Sequence, residues 1–450
     1  MSESPDQRGA EVLALAQHYS GLAGIPKEEM DALAVQALLK ILSVAKQHSP
    51  YWNRVLKGVS TSGTTPQQVL RSLPQLTRSD IQRNWDDMQI RIQGPESDYV
   101  ILKTSGSTGQ PIQISKYRPE YSKLIDAFAV MEFVWFKRKL EWKFGAFRLH
   151  VKDSDAIRLG PPIEYLGEAA MAFQRESTQH TPTEFLDALE QHQPDYLLTN
   201  PVTLKLVAQE QIKQKRPLKP MQQVLTLADR VDDELRDLVR EVFGAKIVDR
   251  YSSVEFNMIA MQCPFENHLH VVAPNVVVEI VRPDGVPCQI GEPGQLLITS
   301  LQNFAMPLFR YQQGDIAQWG EPCTHGIHWP VIEQVHGRVR TVETGEDGQP
   351  RLITLFGADF MLMKEILDYQ VIKFDDAIVF ACQTTEGFGE AEQARVIASL
   401  HKVLHNQLPV RFMFSEEPVN IGRWKAVELF VVKETLNPEW DLNKIQSFLA

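Results

Sequence analysis

Thr104-Ser105-Gly106-Ser107-Thr108-Gly109-Gln110-Pro111 crowds hydroxyl side chains and glycines into a single short stretch. It follows the apolar run Tyr99 to Leu102, so the chain is predicted to leave a strand at this point. Glycines allow the backbone to approach an anion closely, and hydroxyls with main-chain N–H groups supply donors, so the segment suits a polyphosphate. The Walker A spacing is absent, and Gln110 stands where a lysine would be expected. Clusters of Ser, Thr and Gly also serve as solvated turns. Ser60-Thr61-Ser62-Gly63-Thr64-Thr65-Pro66 has a similar composition but no preceding apolar strand, and reads as a linker.

Outward from this loop, the pattern divides the chain. Residues 1 to about 90 carry helical apolar spacing, in Glu11 to Tyr19 and again in Met30 to Val44. Downstream, strand and helix alternate: Tyr196 to Leu198 strand, Pro201 to Lys213 helix, Gln223 to Ala228 strand, Asp232 to Phe243 helix, Lys246 to Val248 strand. Such alternation predicts an α/β fold with a parallel sheet and crossover helices. From His270 to Ser300 the period shortens, with turns at Pro283-Asp284-Gly285 and Glu292-Pro293-Gly294, and antiparallel hairpins are expected. Residues 341–450, with a helix from Ala391 to Asn406 and a strand near Val427 to Val432, suffice for a small α+β domain.

Bulk properties narrow the class. At 450 residues the chain is long for one core, so two or more domains are expected. A formal charge of -11 disfavours nucleic acid or an anionic membrane as the main partner. No apolar run approaches the roughly 20 residues that span a bilayer, and no secretory leader is evident, so a cytoplasmic protein is expected. Four scattered cysteines, Cys263, Cys288, Cys323 and Cys382, do not form a disulfide framework; reduced thiols or a metal site are expected instead.

Further segments follow the loop in a fixed order: Tyr251-Ser252-Ser253-Val254-Glu255, Arg310-Tyr311-Gln312-Gln313-Gly314-Asp315 and Gly337-Arg338-Val339-Arg340. Together they resemble the adenylate-forming superfamily of acyl-CoA synthetases, adenylation domains and luciferases. Ser49-Pro50-Tyr51-Trp52, Leu73-Pro74-Gln75-Leu76-Thr77-Arg78 and Ala305 to Tyr311 look like its phenylacetate-CoA ligase-like branch. The resemblance spans nearly the whole chain. It implies a large multi-subdomain N-terminal domain over residues 1–336, with sheets flanked by helices, and a small mobile α+β domain over 337–450.

It also implies a reaction, ATP-dependent activation of a carboxylic acid as an acyl-adenylate, with CoA as acceptor and an aromatic or planar acid as substrate. Thr104, Ser105, Gly106, Ser107, Thr108 and Gly109 would then cradle the β and γ phosphates. Glu255 would hold magnesium, since one carboxylate with phosphate oxygens and waters is a normal environment for that ion. Asp315 resembles the aspartate that accepts from both ribose hydroxyls, which a carboxylate can do at once. Arg338 resembles the arginine that contacts ribose or phosphate, Tyr251, followed by Ser252 and Ser253, the aromatic stacked on adenine, and Ala228-Asp229 the loop at the adenine edge. Leu159-Gly160-Pro161-Pro162 is a candidate pocket wall.

The chain departs from the family where a C-terminal lysine is expected after glycine: Ile421-Gly422-Arg423-Trp424-Lys425 offers Arg423 or Lys425, and arginine is not a neutral replacement. Arg340 stands at the usual acidic hinge, which leaves thioester formation less secure than adenylation. Cys263, His268 and His270 form one cluster, and Cys323, His325 and His328 a second. Some branch members carry cysteine-rich clusters in these two places. A set of Cys263, His270, Cys323 and His325 would satisfy a closed tetrahedral zinc site, against ordinary buried Cys and solvated His. Other readings remain open: an amine or carrier-protein acceptor, internal rearrangement of the adenylate, or a nucleotide-binding protein that has lost turnover.

Overall fold

The computed structural model describes residues 5–104, 112–149, 151–227, 231–282, 284–335, 341–344, 350–353, 360, 363, 365–373, 377–404, 407–415 and 430–432. Five helices lead the chain, α1 (Pro5–Leu22), α2 (Lys27–His48), α3 (Pro50–Val55), α4 (Pro66–Leu70) and α5 (Arg78–Met88). Local chemistry sets their starts. Ser49 accepts from the Trp52 N–H, Thr65 from Gln68, and Thr77 with Asp80 forms a reciprocal capping box. The hydroxyl-rich stretch before Pro66 therefore ends as the cap of α4.

Strand β1 (Tyr99–Lys103) returns antiparallel as β2 (Gln113–Tyr117), with Lys103 opposite Gln113, so the chain from Thr104 to Ile112 connects a hairpin. The buried α6 (Arg118–Trp135) follows. Next come β3 (Phe144–Arg148), β4 (Ser154–Ile157), α7 (Pro161–Glu164), β5 (Ala172–Glu176), α8 (Pro182–His192), β6 (Tyr196–Thr199), α9 (Pro201–Gln214), β7 (Gln223–Thr226), α10 (Asp233–Phe243) and β8 (Lys246–Ser253). Strands β3, β5, β6, β7 and β8 pair in parallel, as the alternating pattern predicts. Asn200 and Asp232 cap α9 and α10, and Gly244, at φ 64°, ends α10 in the left-handed region open to glycine.

Beyond β8 the pairing turns antiparallel through β9 (Asn257–Gln262), β10 (Leu269–Val271), β11 (Val276–Val281), β12 (Pro293–Ser300), β13 (Tyr311–Trp319) and β14 (Val331–Val335). Among the described residues these form one twelve-stranded sheet, ordered β11-β12-β13-β14-β10-β9-β8-β7-β6-β3-β5-β4. Strand β8 is the seam, parallel to β7 on one side and antiparallel to β9 on the other.

The chain divides into two compact units: Met1–Lys103, Gln113–Glu176 and Phe185–Gly337 in the first, Thr104–Ile112, Ser177–Glu184 and Arg338–Ala450 in the second. The second contains β15 (Thr341–Thr344), β16 (Pro350–Ile353), β17 (Ile366–Lys373), β18 (Ile378–Thr384), α11 (Glu390–Leu404), β19 (Val410–Phe414) and β20 (Phe430–Val432). Among the described residues its sheet has four strands, ordered β19-β18-β17-β20, and packs Tyr369, Phe380 and Cys382 with Val396 and Leu400 of α11. No described helix is long and apolar enough to cross a membrane.

Candidate functional site

The site grows from the seam of the large sheet. Parallel pairing of β8 stops at Asp249; Tyr251, Ser252 and Ser253 then pair with β9, and Val254-Glu255-Phe256 form the turn between the two strands. The carboxyl end of a parallel strand is where α/β sheets bind ligands. The turn closes with Asn257 at φ 60°, and the Ser253 hydroxyl accepts from the Phe256 N–H. Asn275 donates its amide to the carbonyls of Phe256 and Met258 at 2.8 and 2.6 Å. Glu255 is held there with 8% of its surface exposed.

Strand β13 brings Asp315 to the same region. The Tyr251 hydroxyl donates to Asp315 Oδ2 at 2.5 Å, and the Gln313 amide donates to that oxygen and to the Tyr251 hydroxyl at 3.3 and 3.2 Å. Two residues expected from sequence thus meet through side chains 64 positions apart. Gln313, within the motif but without a role assigned, completes the triangle. Ser252 is exposed and Ser253 serves the turn. Asp249, two residues before Tyr251, accepts from the Thr226 hydroxyl at 2.7 Å, and burial raises its carboxyl to about 6.

Beneath the turn lies Lys116 of β2, with 3% of its surface exposed. Its ammonium donates to the Glu255 carbonyl at 2.5 Å and stands 5.5 Å from the centre of the Tyr121 ring. Burial pushes this lysine down to about 7, while the Glu255 carboxylate acts in the opposite direction. Sequence reasoning missed it, because a lysine in a strand after Ile114-Ser115 carries no sign that its partner lies 139 residues away.

Segments that carried the resemblance outside the nucleotide motifs converge on β13. Trp52 donates its indole N–H to the Pro307 carbonyl at 3.0 Å and packs edge-on against Phe309, ring centres 4.7 Å apart. Arg310 pairs with the buried Glu279 at 3.0 Å and donates to the Leu73 carbonyl at 2.7 Å, and Leu76 bridges to Tyr311. These contacts fix where β13 begins, four residues before Asp315.

A second cluster gathers Cys263, His268, His270 and Cys323, whose ligand atoms all lie within 4.8 Å of one another. The two sulfurs are 3.9 Å apart and the two imidazole Nε2 atoms 3.3 Å apart. A tetrahedral zinc ion with ordinary bond lengths requires about 3.8 Å between sulfurs and about 3.3 Å between nitrogens. The outward nitrogens have partners of their own: His268 Nδ1 faces Glu266 at 3.1 Å and His270 Nδ1 faces the Trp329 carbonyl at 3.4 Å. Burial, with His268 adding to it, holds His270 down to about 4, so its imidazole is neutral, and burial raises the Cys263 thiol. Three of the four residues expected at a zinc site are brought together, and the fourth member is His268. His325, expected in its place, lies beside the group, 3.7 Å from the Cys323 sulfur and 3.3 Å from Glu266.

Thr104 closes the base of its loop, its N–H donating to the Ile112 carbonyl and its hydroxyl accepting from the Ile112 N–H at 3.1 Å. Ser105, Gly106, Ser107, Thr108, Gly109, Asp229, Arg338, Arg423 and Lys425 lie outside the described residues.

Residues 165–306 match the AMP-binding enzyme family. The phenylacetate-coenzyme A ligase of Thermus thermophilus is 22% identical over 316 residues, 68% of this chain and 69% of that protein. Among solved structures, 2-hydroxyisobutyryl-CoA ligase with 2-HIB-AMP and CoA in its thioesterification state has a TM-score of 0.62 at 14% identity, covering 95% of this chain and 94% of that one. The same ligase in its postadenylation state with 2-HIB-AMP gives 0.60 at 15% identity, with the same coverage. At such identities the structures speak for the fold, and the sequence match falls on the segment that carries Tyr251 and Glu255. Over residues 165–306 the chain thus matches the AMP-binding enzymes, and as a whole it is similar in sequence to one acid–CoA ligase and in fold to another.

Proposed function

We propose that the protein joins a carboxylic acid to ATP as an acyl-adenylate, releasing pyrophosphate, and then passes the acyl group to the thiol of CoA, releasing AMP. The observation that carries this reading is the hydrogen-bonded meeting of Tyr251, Gln313 and Asp315 beside the turn that holds Glu255, within and next to the segment that matches the AMP-binding family. In this reading Asp315 accepts from the ribose diol, and the Tyr251 ring, its hydroxyl anchored on Asp315, presents a face to adenine. Glu255 has the donor chemistry for one position in a magnesium shell. Magnesium, when bound, offsets the charge of the triphosphate and of the departing pyrophosphate. The Ser105 to Gly109 loop, Asp229, Arg338 and either Arg423 or Lys425 are assigned to phosphate, adenine edge, ribose and the adenylation cation by resemblance, with residues 337–450 as the domain that carries the last three basic residues.

The acid is proposed to be aromatic or planar, as the name of the Thermus thermophilus relative suggests. The structural neighbour holds a 2-hydroxyisobutyryl adenylate, so short branched hydroxy acids belong in the same trial. A structural zinc ion is proposed at Cys263, His268, His270 and Cys323, on the spacing of their ligand atoms and the satisfied outer nitrogens. The test of function is product analysis. Incubation with ATP, magnesium, CoA and a panel of both acid classes should yield AMP and an acyl-CoA in equal amounts. AMP without acyl-CoA would redirect the search to another acceptor, and neither product from any acid would overturn the reading.

A further inference from the structure

The turn that carries Glu255 is held by its carbonyl groups. Asn275 takes those of Phe256 and Met258, and the ammonium of Lys116 takes that of Glu255 itself. A buried ammonium is expensive, and burying one to satisfy a single carbonyl that an amide could satisfy equally well calls for a reason. Among the described residues no carboxylate oxygen lies within ion-pair distance of Lys116, and its hydrogen bond goes to main chain. The carboxylate whose charge acts on it belongs to the same residue as that carbonyl. Strand β2 is also the strand into which the Thr104 to Pro111 segment runs, so one buried residue ties the chain after that loop to the turn bearing the proposed cation ligand.

We propose that Lys116 is a positioning residue for adenylation, fixing the backbone of the Glu255 turn and so holding the Glu255 carboxylate in place for the magnesium–ATP complex. The proposal rests on the reading of Glu255 as the magnesium ligand. It assigns Lys116 no contact with substrate; the effect passes through Glu255. A fixed turn favours catalysis because a ligand held in place before the metal arrives needs no reorganisation as charge develops.

The experiment is a double-mutant cycle read by ATP–pyrophosphate exchange at varied magnesium, using Lys116→Met, Lys116→Arg, Glu255→Gln and the Lys116→Met/Glu255→Gln pair, and by amide hydrogen exchange of the 254–257 turn in the free protein, which Lys116→Met should speed several-fold and which, if unchanged, would overturn the role. Lys116→Met should lower exchange at least about tenfold and raise the magnesium concentration for half-maximal rate several-fold, with Lys116→Arg restoring part of both. In the Glu255→Gln background the same substitution should change exchange by less than about twofold, since its route is already cut. If Lys116→Met fails to fold, Lys116→Gln, which keeps a donor but not the charge, enters the same cycle. A magnesium requirement unmoved in these variants, or an equal loss in both backgrounds, overturns the role of Lys116 while leaving Glu255 standing. Normal exchange in Glu255→Gln alone removes the magnesium assignment and this proposal with it.

Discussion

Asp249 carries a carboxyl whose charge the fold disfavours. Burial raises its carboxyl from an ordinary 3.8 to about 6, against the pull of the Thr226 hydroxyl and Arg236. A raised folded-state value means that its contribution to stability is fully present below 3.8 and is lost as pH rises through about 6. Asp249→Asn keeps an acceptor for Thr226 and removes the charge. The variant should be more stable than the parent above pH 7, by about 1 to 2 kcal/mol after allowing for partial exposure, and the gain should vanish near pH 4. Denaturation midpoints across that range check the sign, and a gain that grows towards acid would contradict it. Residue-scale chemistry was the least legible in the sequence. Tyr251, Glu255 and Asp315 stood in an ordered series of short motifs, whereas Lys116 and His268 draw their roles from partners that the local pattern does not encode. His268 and His325 look equivalent along the chain, and only the fold puts His268 Nε2 against His270 and His325 against Glu266.

At the scale of elements, strand β13 is the piece on which the site depends most. Its first residue follows Arg310, a non-glycine residue at φ 49°, held there by Glu279 and the Leu73 carbonyl. Arg310→Met would leave Glu279 buried without its partner and should destabilise the protein by about 3 to 5 kcal/mol. Adding Glu279→Leu should recover most of that loss, because the uncompensated charge rather than the missing pair carries the penalty. Denaturant titration of both variants gives the check, and equal stability of the single and double variants would argue against it. The parallel strands and helices from Tyr196 to Val248 were legible because apolar runs there end in caps of Asn200, Asp232 and Gly244, so local and global preference agree. The β1–β2 hairpin was only half visible: the sequence shows a strand entering the loop, but the returning strand includes a buried lysine that breaks the expected alternation.

For the whole molecule, composition and pattern placed an α/β fold and a small α+β region, with the α11 helix falling close to its expected span. The cysteine and histidine cluster is a property of this larger scale, joining the β9–β10 connection to the segment before β14. If it binds zinc, metal analysis of protein purified without chelator should find about one ion per chain, and removing the ion should lower thermal stability before it lowers adenylation at moderate temperature. Protein containing no metal would leave two histidine nitrogens 3.3 Å apart without an ion between them, and the zinc assignment would fall.

Acid-dependent exchange of labelled pyrophosphate into ATP tests the central claim most directly, because it reports formation of the acyl-adenylate whatever the final acceptor is. The account predicts exchange that requires both magnesium and an acid from the aromatic or hydroxy-acid panel, and that falls more than about tenfold in a folded Glu255→Gln variant. Exchange absent with every acid, or undiminished in Glu255→Gln, would contradict it.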